Sequence, residues 1–341
     1  MKILLIGGTG FIGRFVVEQL VNSGHDVTVL HRGKSNVQLP DDARRVLGDS
    51  NGLAELRPEL RKLSLDVVIN FILSSGRQAQ QVLEALRGIA GRVVALSSMD
   101  VYRACGVLHE TESGGLQPVP LTEESELRTK PAYTPQQMEM GKRIFSWMND
   151  EYDKIAVEGA ILSNPELPGT VLRLPMVYGP GDPLHRFLPI IKRIRDGRRK
   201  ILFEQDIACW RGTMGFVENV ATAIKLAATR SEASGRTYNI AEEDPLTEVE
   251  WARLIAKEMA WDCEFVVLPK ERVPQHLLHP GNFKQHWVAS SKRIRQELGY
   301  REAISHDEAV RRTIRWELEN PPAQIPEILF NYAAEDDAAL P

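Results

Sequence analysis

The first hundred residues repeat one pattern. A short apolar run is followed by a turn, then by a stretch with apolar residues every three or four positions. The runs are Ile3-Leu4-Leu5-Ile6, Val27-Thr28-Val29-Leu30, Arg45-Val46-Leu47, Asp66-Val67-Val68-Ile69-Asn70 and Arg92-Val93-Val94-Ala95-Leu96. Runs without polar alternation suit strands buried on both faces, as in a parallel sheet. Phe15, Val16, Gln19 and Leu20 have helical spacing that Gly24 ends, and further helical segments lie near 53–63 and 77–89. The alternation predicts an α/β fold, a Rossmann-type doubly wound parallel sheet. A loop rich in Gly, Pro, Ser, Thr and acids follows over about 104–136, long enough to be a lid or a substrate-side insertion. A long helix is expected over about 141–162 and a buried strand at Thr170-Val171-Leu172-Arg173-Leu174. Beyond residue 180, short strands near 201–203, 237–240 and 265–268 mix with helices near 186–196, 218–229 and 247–260.

Gly7-Gly8-Thr9-Gly10-Phe11-Ile12-Gly13 sits between the first strand and the first helix. Glycine permits a tight turn and a close backbone approach, and the helix N-terminus then turns its free N–H groups toward phosphate charge. A strand before the triplet and a helix after it are the context in which it reads as a dinucleotide site. The chain therefore divides into a dinucleotide-binding domain over 1–180 and a smaller α/β substrate-binding lobe over 181–320, free to interleave with it. An acidic, alanine-rich tail over 321–341 is expected to be loosely ordered.

Composition narrows the partners. Lys+Arg number 42 and Asp+Glu 46, a net charge of −4, so no global attraction to nucleic acid or anionic membrane is expected. The basic run from Lys192 to Lys200 reads as a solvated helix end that could also face a diphosphate or RNA. Three scattered cysteines fit a reducing compartment and a cytoplasmic address. The opening apolar run is too short for a signal peptide, and no stretch is long and apolar enough to span a bilayer. The histidines show no metal-ligand spacing, and no metal is expected.

Segments spread along the chain together resemble the extended short-chain dehydrogenase/reductases, the NAD(P)-dependent epimerase/dehydratase family. They are the glycine loop, Leu96-Ser97-Ser98-Met99-Asp100-Val101-Tyr102, Asp153-Lys154-Ile155-Ala156-Val157-Glu158, Leu172 to Gly181, Phe216 to Ala221, Tyr238-Asn239-Ile240 and Ser291 to Tyr300. The resemblance implies hydride transfer between a nicotinamide cofactor and a small-molecule substrate such as a nucleotide sugar or a related polyhydroxylated carbonyl compound. It also implies that Asp49 meets the adenine edge, that Asn70 lies beneath the cofactor, and that a homodimer forms through helices near 77–89 and 141–162. The second strand ends Leu30-His31-Arg32-Gly33-Lys34, without a carboxylate for a ribose 2′-hydroxyl. Arg32 there favours the 2′-phosphate of NADP(H) over NAD(H).

The family's acid/base group is a tyrosine four residues before the lysine, beside a serine. Ser98 and Lys154 match, but the tyrosine position holds Asp150. Tyr152 is the nearest tyrosine. In a regular helix it would lie about 200° from Lys154, so it serves only if the helix starts late. Asp150 and, from the long loop, Tyr133 are the other candidates. Methionine at position 99 cannot protonate a leaving hydroxyl, whereas Asp100 keeps one carboxyl group near the substrate. Arg173 and Arg211 are candidate clamps for a substrate phosphate or carboxylate. The competing reading is a cofactor-holding protein that has lost turnover and serves a regulatory or partner-binding role, an RNA-associated one included.

Overall fold

The computed structural model describes residues 1–34 and 37–340. In chain order the first half runs β1 (Lys2–Ile6), α1 (Gly13–Asn22), β2 (Asp26–His31), β3 (Arg44–Leu47), α2 (Leu53–Leu63), β4 (Leu65–Asn70), α3 (Gly76–Leu86), β5 (Ala90–Ser98), α4 (Arg103–Leu108), α5 (Pro135–Ile144), α6 (Lys154–Leu162) and β6 (Gly169–Leu174). The second half runs β7 (Met176–Tyr178), α7 (Leu188–Arg195), β8 (Lys200–Glu204), α8 (Gln205–Cys209), β9 (Met214–Phe216), α9 (Val217–Thr229), β10 (Thr237–Asn239), α10 (Glu248–Glu258), β11 (Glu264–Leu268), α11 (Lys292–Leu298), α12 (His306–Glu319) and α13 (Tyr332–Ala338).

Seven strands form one parallel sheet in the order β10-β6-β5-β4-β1-β2-β3. The side-chain period of two sends Ile3 and Leu5 into the core beneath α1 and α9, and Leu4 and Ile6 into the core beneath α2, α3 and α6. Each of these four is at most 1% exposed, and burying one such side chain contributes about 1.5–3 kcal/mol. Because β1 pairs with both β2 and β4, the strand order reverses there. A crevice opens at the carboxyl ends of these strands, where α/β sheets bind ligands. The loops after β1, β4 and β5 all leave at that edge. β10 comes from the second half of the chain yet completes the sheet beside β6. No described helix is long and apolar enough to cross a membrane.

Three expectations from the sequence change. The helix expected over 141–162 is two helices. The chain leaves α5 at Phe145 in an extended conformation and re-enters helix only at Lys154, with Asp153 as the N-cap. Asn149 and Asp153 compete with helical hydrogen bonding. The intervening segment is tethered to the β4–α3 turn by Asn149 N donating to Ser74 Oγ (3.1 Å) and Asp153 N donating to Ser74 O (2.8 Å). The loop after α4 is clasped into the interior by Gln117 and Arg128, both under 9% exposed. The tail is ordered at α13, where Glu335 is fully buried and accepts from Arg193 Nη2 at 2.6 Å. Arg193 belongs to the basic run, and its neighbour Arg198 pairs with Asp336. Two of the run's cations, Arg193 and Arg198, are thus taken up by the acidic tail, and Lys192 pairs with Asp196 within the run.

Candidate active site

The glycine loop is shaped by close packing. Gly7 has φ +86°, and a Cβ there would stand 2.6 Å from Ile72 Cγ2. A Cβ on Gly13 would stand 2.7 Å from the backbone of Gly8. Larger residues would push α1 off the strand and close the concave turn. Gly10, Thr9, Phe11 and Ile12 complete the turn, with Gly10 N donating to Gly7 O. Beside it, Asn70 is fully buried at the end of β4. Its Oδ1 accepts from Ile72 N (3.0 Å), while its Nδ2 has no partner among the described residues. A buried unpaired amide beside a glycine cradle fits a missing polar ligand, and these residues would hold a nicotinamide dinucleotide. Asp49 is exposed beyond β3 and caps the next turn by accepting from Asn51 N (2.9 Å). Arg32 is exposed at the tip of β2, and its side chain makes no hydrogen bond or ion pair with the described residues.

At the end of β5 the chain turns sharply. Ser98 Oγ accepts from Asp100 N (3.1 Å), which leaves its own O–H free to donate. The turn drives Asp100 into the interior, fully buried. Tyr152 Oη donates to Asp100 Oδ2 at 2.6 Å, and the Tyr133 ring packs against that of Tyr152 with centroids 6.2 Å apart. Oδ1 of Asp100 has no partner among the described residues. Lys154, 2% exposed, donates to Leu73 O (2.6 Å) and Leu96 O (3.1 Å). Its Nζ lies 4.7 Å from the centroid of the Trp147 ring and 5.8 Å from that of Tyr152. An ammonium has three protons, so one remains for a ligand.

The electrostatics follow from burial. Desolvation draws Lys154 down to about 8, partly opposed by the charges of Asp100 and Glu158. Desolvation, and after it the charge of Asp100, pushes the phenols of Tyr152 and Tyr133 well above their ordinary value. Both are therefore neutral proton donors around neutral pH. His109 packs tilted against Tyr133 with ring centroids 5.3 Å apart, and desolvation lowers its pKa.

The structure sorts the candidates. Tyr152 stands beside Lys154 because α6 starts late, so the position two before the lysine is extended rather than helical. Asp150 is on the surface, its side chain 88% exposed and ion-paired with Lys142 at 2.5 Å. It takes no part in the cluster. Arg173 is no substrate clamp either. It is 4% exposed and spends its guanidinium on Glu158 (2.8 and 3.0 Å), Tyr102 Oη and Glu123 O. Arg211 is exposed in a strip whose neighbour Trp287 donates from Nε1 to Met99 O at 3.1 Å, one residue from Asp100. Sequence reasoning missed Trp147, His109 and Arg128. Arg128 Nε donates to Asp100 O (2.9 Å) and its Nη2 to Asp153 Oδ1 (3.0 Å), joining the turn to the start of α6. These three share no spacing motif, and only the fold brings them together.

The family model described as NAD dependent epimerase/dehydratase family matches residues 3–241. The chain is 27% identical over 274 residues to the chloroplast stem-loop binding protein of 41 kDa b of Arabidopsis thaliana. That match covers 75% of this chain and 62% of the relative, so this chain spans less than two thirds of that protein's length. It is 25% identical over 327 residues to the UDP-glucose 4-epimerase of Corynebacterium glutamicum, covering 88% of this chain and 90% of that one. Its fold is similar to that of dTDP-glucose 4,6-dehydratase from Bacillus anthracis, solved in complex with NAD. The TM-score is 0.67 at 18% identity, with 94% of this chain and 97% of that chain covered. The chain belongs to the NAD-dependent epimerase/dehydratase family.

Proposed function

We propose that this family member is an NAD(P)-dependent enzyme acting on a nucleotide sugar or a related polyhydroxylated carbonyl compound. The observation that carries the reading is Tyr152, which meets both Asp100 and Lys154 at the end of β5 despite the missing four-residue spacing. The bound nicotinamide would supply or accept hydride. Ser98 would donate its free O–H to the substrate oxygen, and Lys154 would offer its remaining proton to a ribose hydroxyl. Tyr152 would exchange the substrate's proton. Arg211 is the remaining arginine for a substrate phosphate, since Arg173 is committed to Glu158.

For the cofactor, Arg32, without a side-chain partner among the described residues, and the absence of a carboxylate in the sequence at the tip of β2 support NADP(H). The named activities of the epimerase and dehydratase relatives support a nucleotide-sugar substrate. The stem-loop-binding relative supports a second reading, a cofactor-holding protein with an RNA partner. Against it stand the net charge of −4 and the pairing of Arg193 and Arg198 with the tail.

The test measures NADPH and NADH affinity by fluorescence, then offers UDP-glucose, dTDP-glucose and UDP-glucuronic acid while cofactor absorbance is followed. Turnover that disappears in Lys154→Ala and Ser98→Ala is expected. Tight cofactor binding without turnover, joined by salt-dependent RNA binding, would establish the second reading instead. NADH binding better than NADPH, with Arg32→Ala changing neither, would remove the NADP preference.

A further inference from the structure

We propose that Asp100 is the proton acceptor of this site and that Tyr152 is the relay through which it acts. The proposal rests on the hydride-transfer reading above. Asp100 is fully buried, and no cation forms an ion pair with its carboxylate among the described residues. A bare carboxylate in such surroundings is unfavourable unless hydrogen bonds hold it. Here the Tyr152 phenol does so at 2.6 Å, with the Tyr133 ring packed beside it, and Oδ1 has no partner among the described residues.

The groups facing the carboxylate come from every neighbouring element. Cys105 lies on α4 and His109 just after it, Tyr133 precedes α5, and Tyr152 precedes α6, which Lys154 opens. Arg128 reaches the backbone carbonyl of Asp100 rather than its carboxylate. Lys154 is occupied by Leu73 O and Leu96 O, so it is not spent on making a phenolate. Burial first, and then the neighbouring Asp100, keep the Tyr152 phenol neutral, so it holds its proton and donates it to Asp100 Oδ2.

In the oxidising direction the substrate O–H bond breaks and its proton joins Oη of Tyr152. The proton already on Oη passes to Oδ2 of Asp100. The carbon–oxygen double bond would form as the carbon–hydrogen bond breaks, and a nicotinamide nucleotide held by the glycine loop would take that electron pair as hydride. The carboxylate ends protonated, and reduction returns both protons along the same path.

Tyrosinate absorbance, titrated with pH on the full chain, tests the arrangement. Tyr152→Phe is expected to delete a phenol that ionises well above free tyrosine. Asp100→Asn is expected to bring that phenol down by about one pH unit or more, with NADPH still bound. If UDP-glucose turns over, Asp100→Asn lowers kcat and leaves KM, and Asp100→Glu restores part of the loss. A phenol that stays in place in Asp100→Asn overturns the proposal. So does a Tyr152→Phe difference spectrum centred at the ordinary tyrosine value, which decides alone if Asp100→Asn does not fold. Wild-type protein that binds neither nicotinamide nucleotide removes the functional reading instead and leaves the titration result standing.

Discussion

The two ends of the crevice are built by different physics. The glycine loop is a backbone device, in which seven consecutive residues bend so tightly that Cβ atoms would clash with Ile72 at Gly7 and with the Gly8 backbone at Gly13. The cluster around Asp100 is a side-chain device, assembled from the β5 turn, the loop at Tyr133 and the break before α6. A contiguous device survives as a motif wherever the chain keeps its local conformation. A dispersed one depends on where each element starts and stops, so it tolerates relocation of a residue if the path of the chain compensates. Tyr152 is such a case.

The largest effect that would sharpen this contrast lies between the two ends. Arg173→Met leaves Glu158 buried and unpaired, and a loss of about 3–5 kcal/mol is expected in urea denaturation, with nucleotide-sugar affinity of the folded fraction unchanged. A variant of full stability and weakened affinity would return Arg173 to the substrate. Gly13→Val should cost about 1–3 kcal/mol through overpacking against Gly8, and NADPH affinity should fall at least about tenfold. The phenol titration should not move, and if it does the two ends are not separable. Arg128→Ala frees the Asp100 carbonyl and the Asp153 cap, at about 1–3 kcal/mol. Hydrogen exchange should accelerate over 145–155 and stay unchanged in the glycine loop.

Lys154 adds a dependence on pH. Its folded-state value is drawn down to about 8 from 10.5. Between those limits the unfolded chain binds more protons, so this group makes stability rise with pH until the lysine is neutral in both states. Denaturation midpoints at about pH 7.5 and 9.5 should show the rise in wild type and not in Lys154→Met. Above about 10 the raised phenols work in the opposite sense, because the unfolded chain then loses protons first. The smallest effect is expected from Asp150→Asn, within about 0.5 kcal/mol, since that side chain is exposed and paired only with Lys142. A large loss of turnover there would restore Asp150 to the chemistry.

The sheet was legible because its signal is local. The apolar runs at Ile3, Val27, Asp66 and Arg92 became β1, β2, β4 and β5, and the expected glycine turn lies between β1 and α1. Ser98, Lys154 and Asp100 were legible as candidates from family spacing, and the structure brings them to one place. Tyr152 was undecidable because its direction depends on the first residue of α6. Asp153 sets that residue through its cap and through contacts with Ser74 and Arg128, which lie 79 and 25 residues away in sequence. Arg173 misled because a charged residue in a buried strand suggests a ligand, whereas Glu158 fifteen residues before it supplies an internal partner. The acidic tail misled because composition counts charges without saying which of them meet.

The burial of Glu335 has a practical side. The carboxylate sits against Arg193 and His276, with the Phe330 ring over the guanidinium, so the last turn of the chain plugs the lobe from outside. Shortening the protein ahead of that residue, or fusing a bulky tag against α13, strands a guanidinium in an apolar interior.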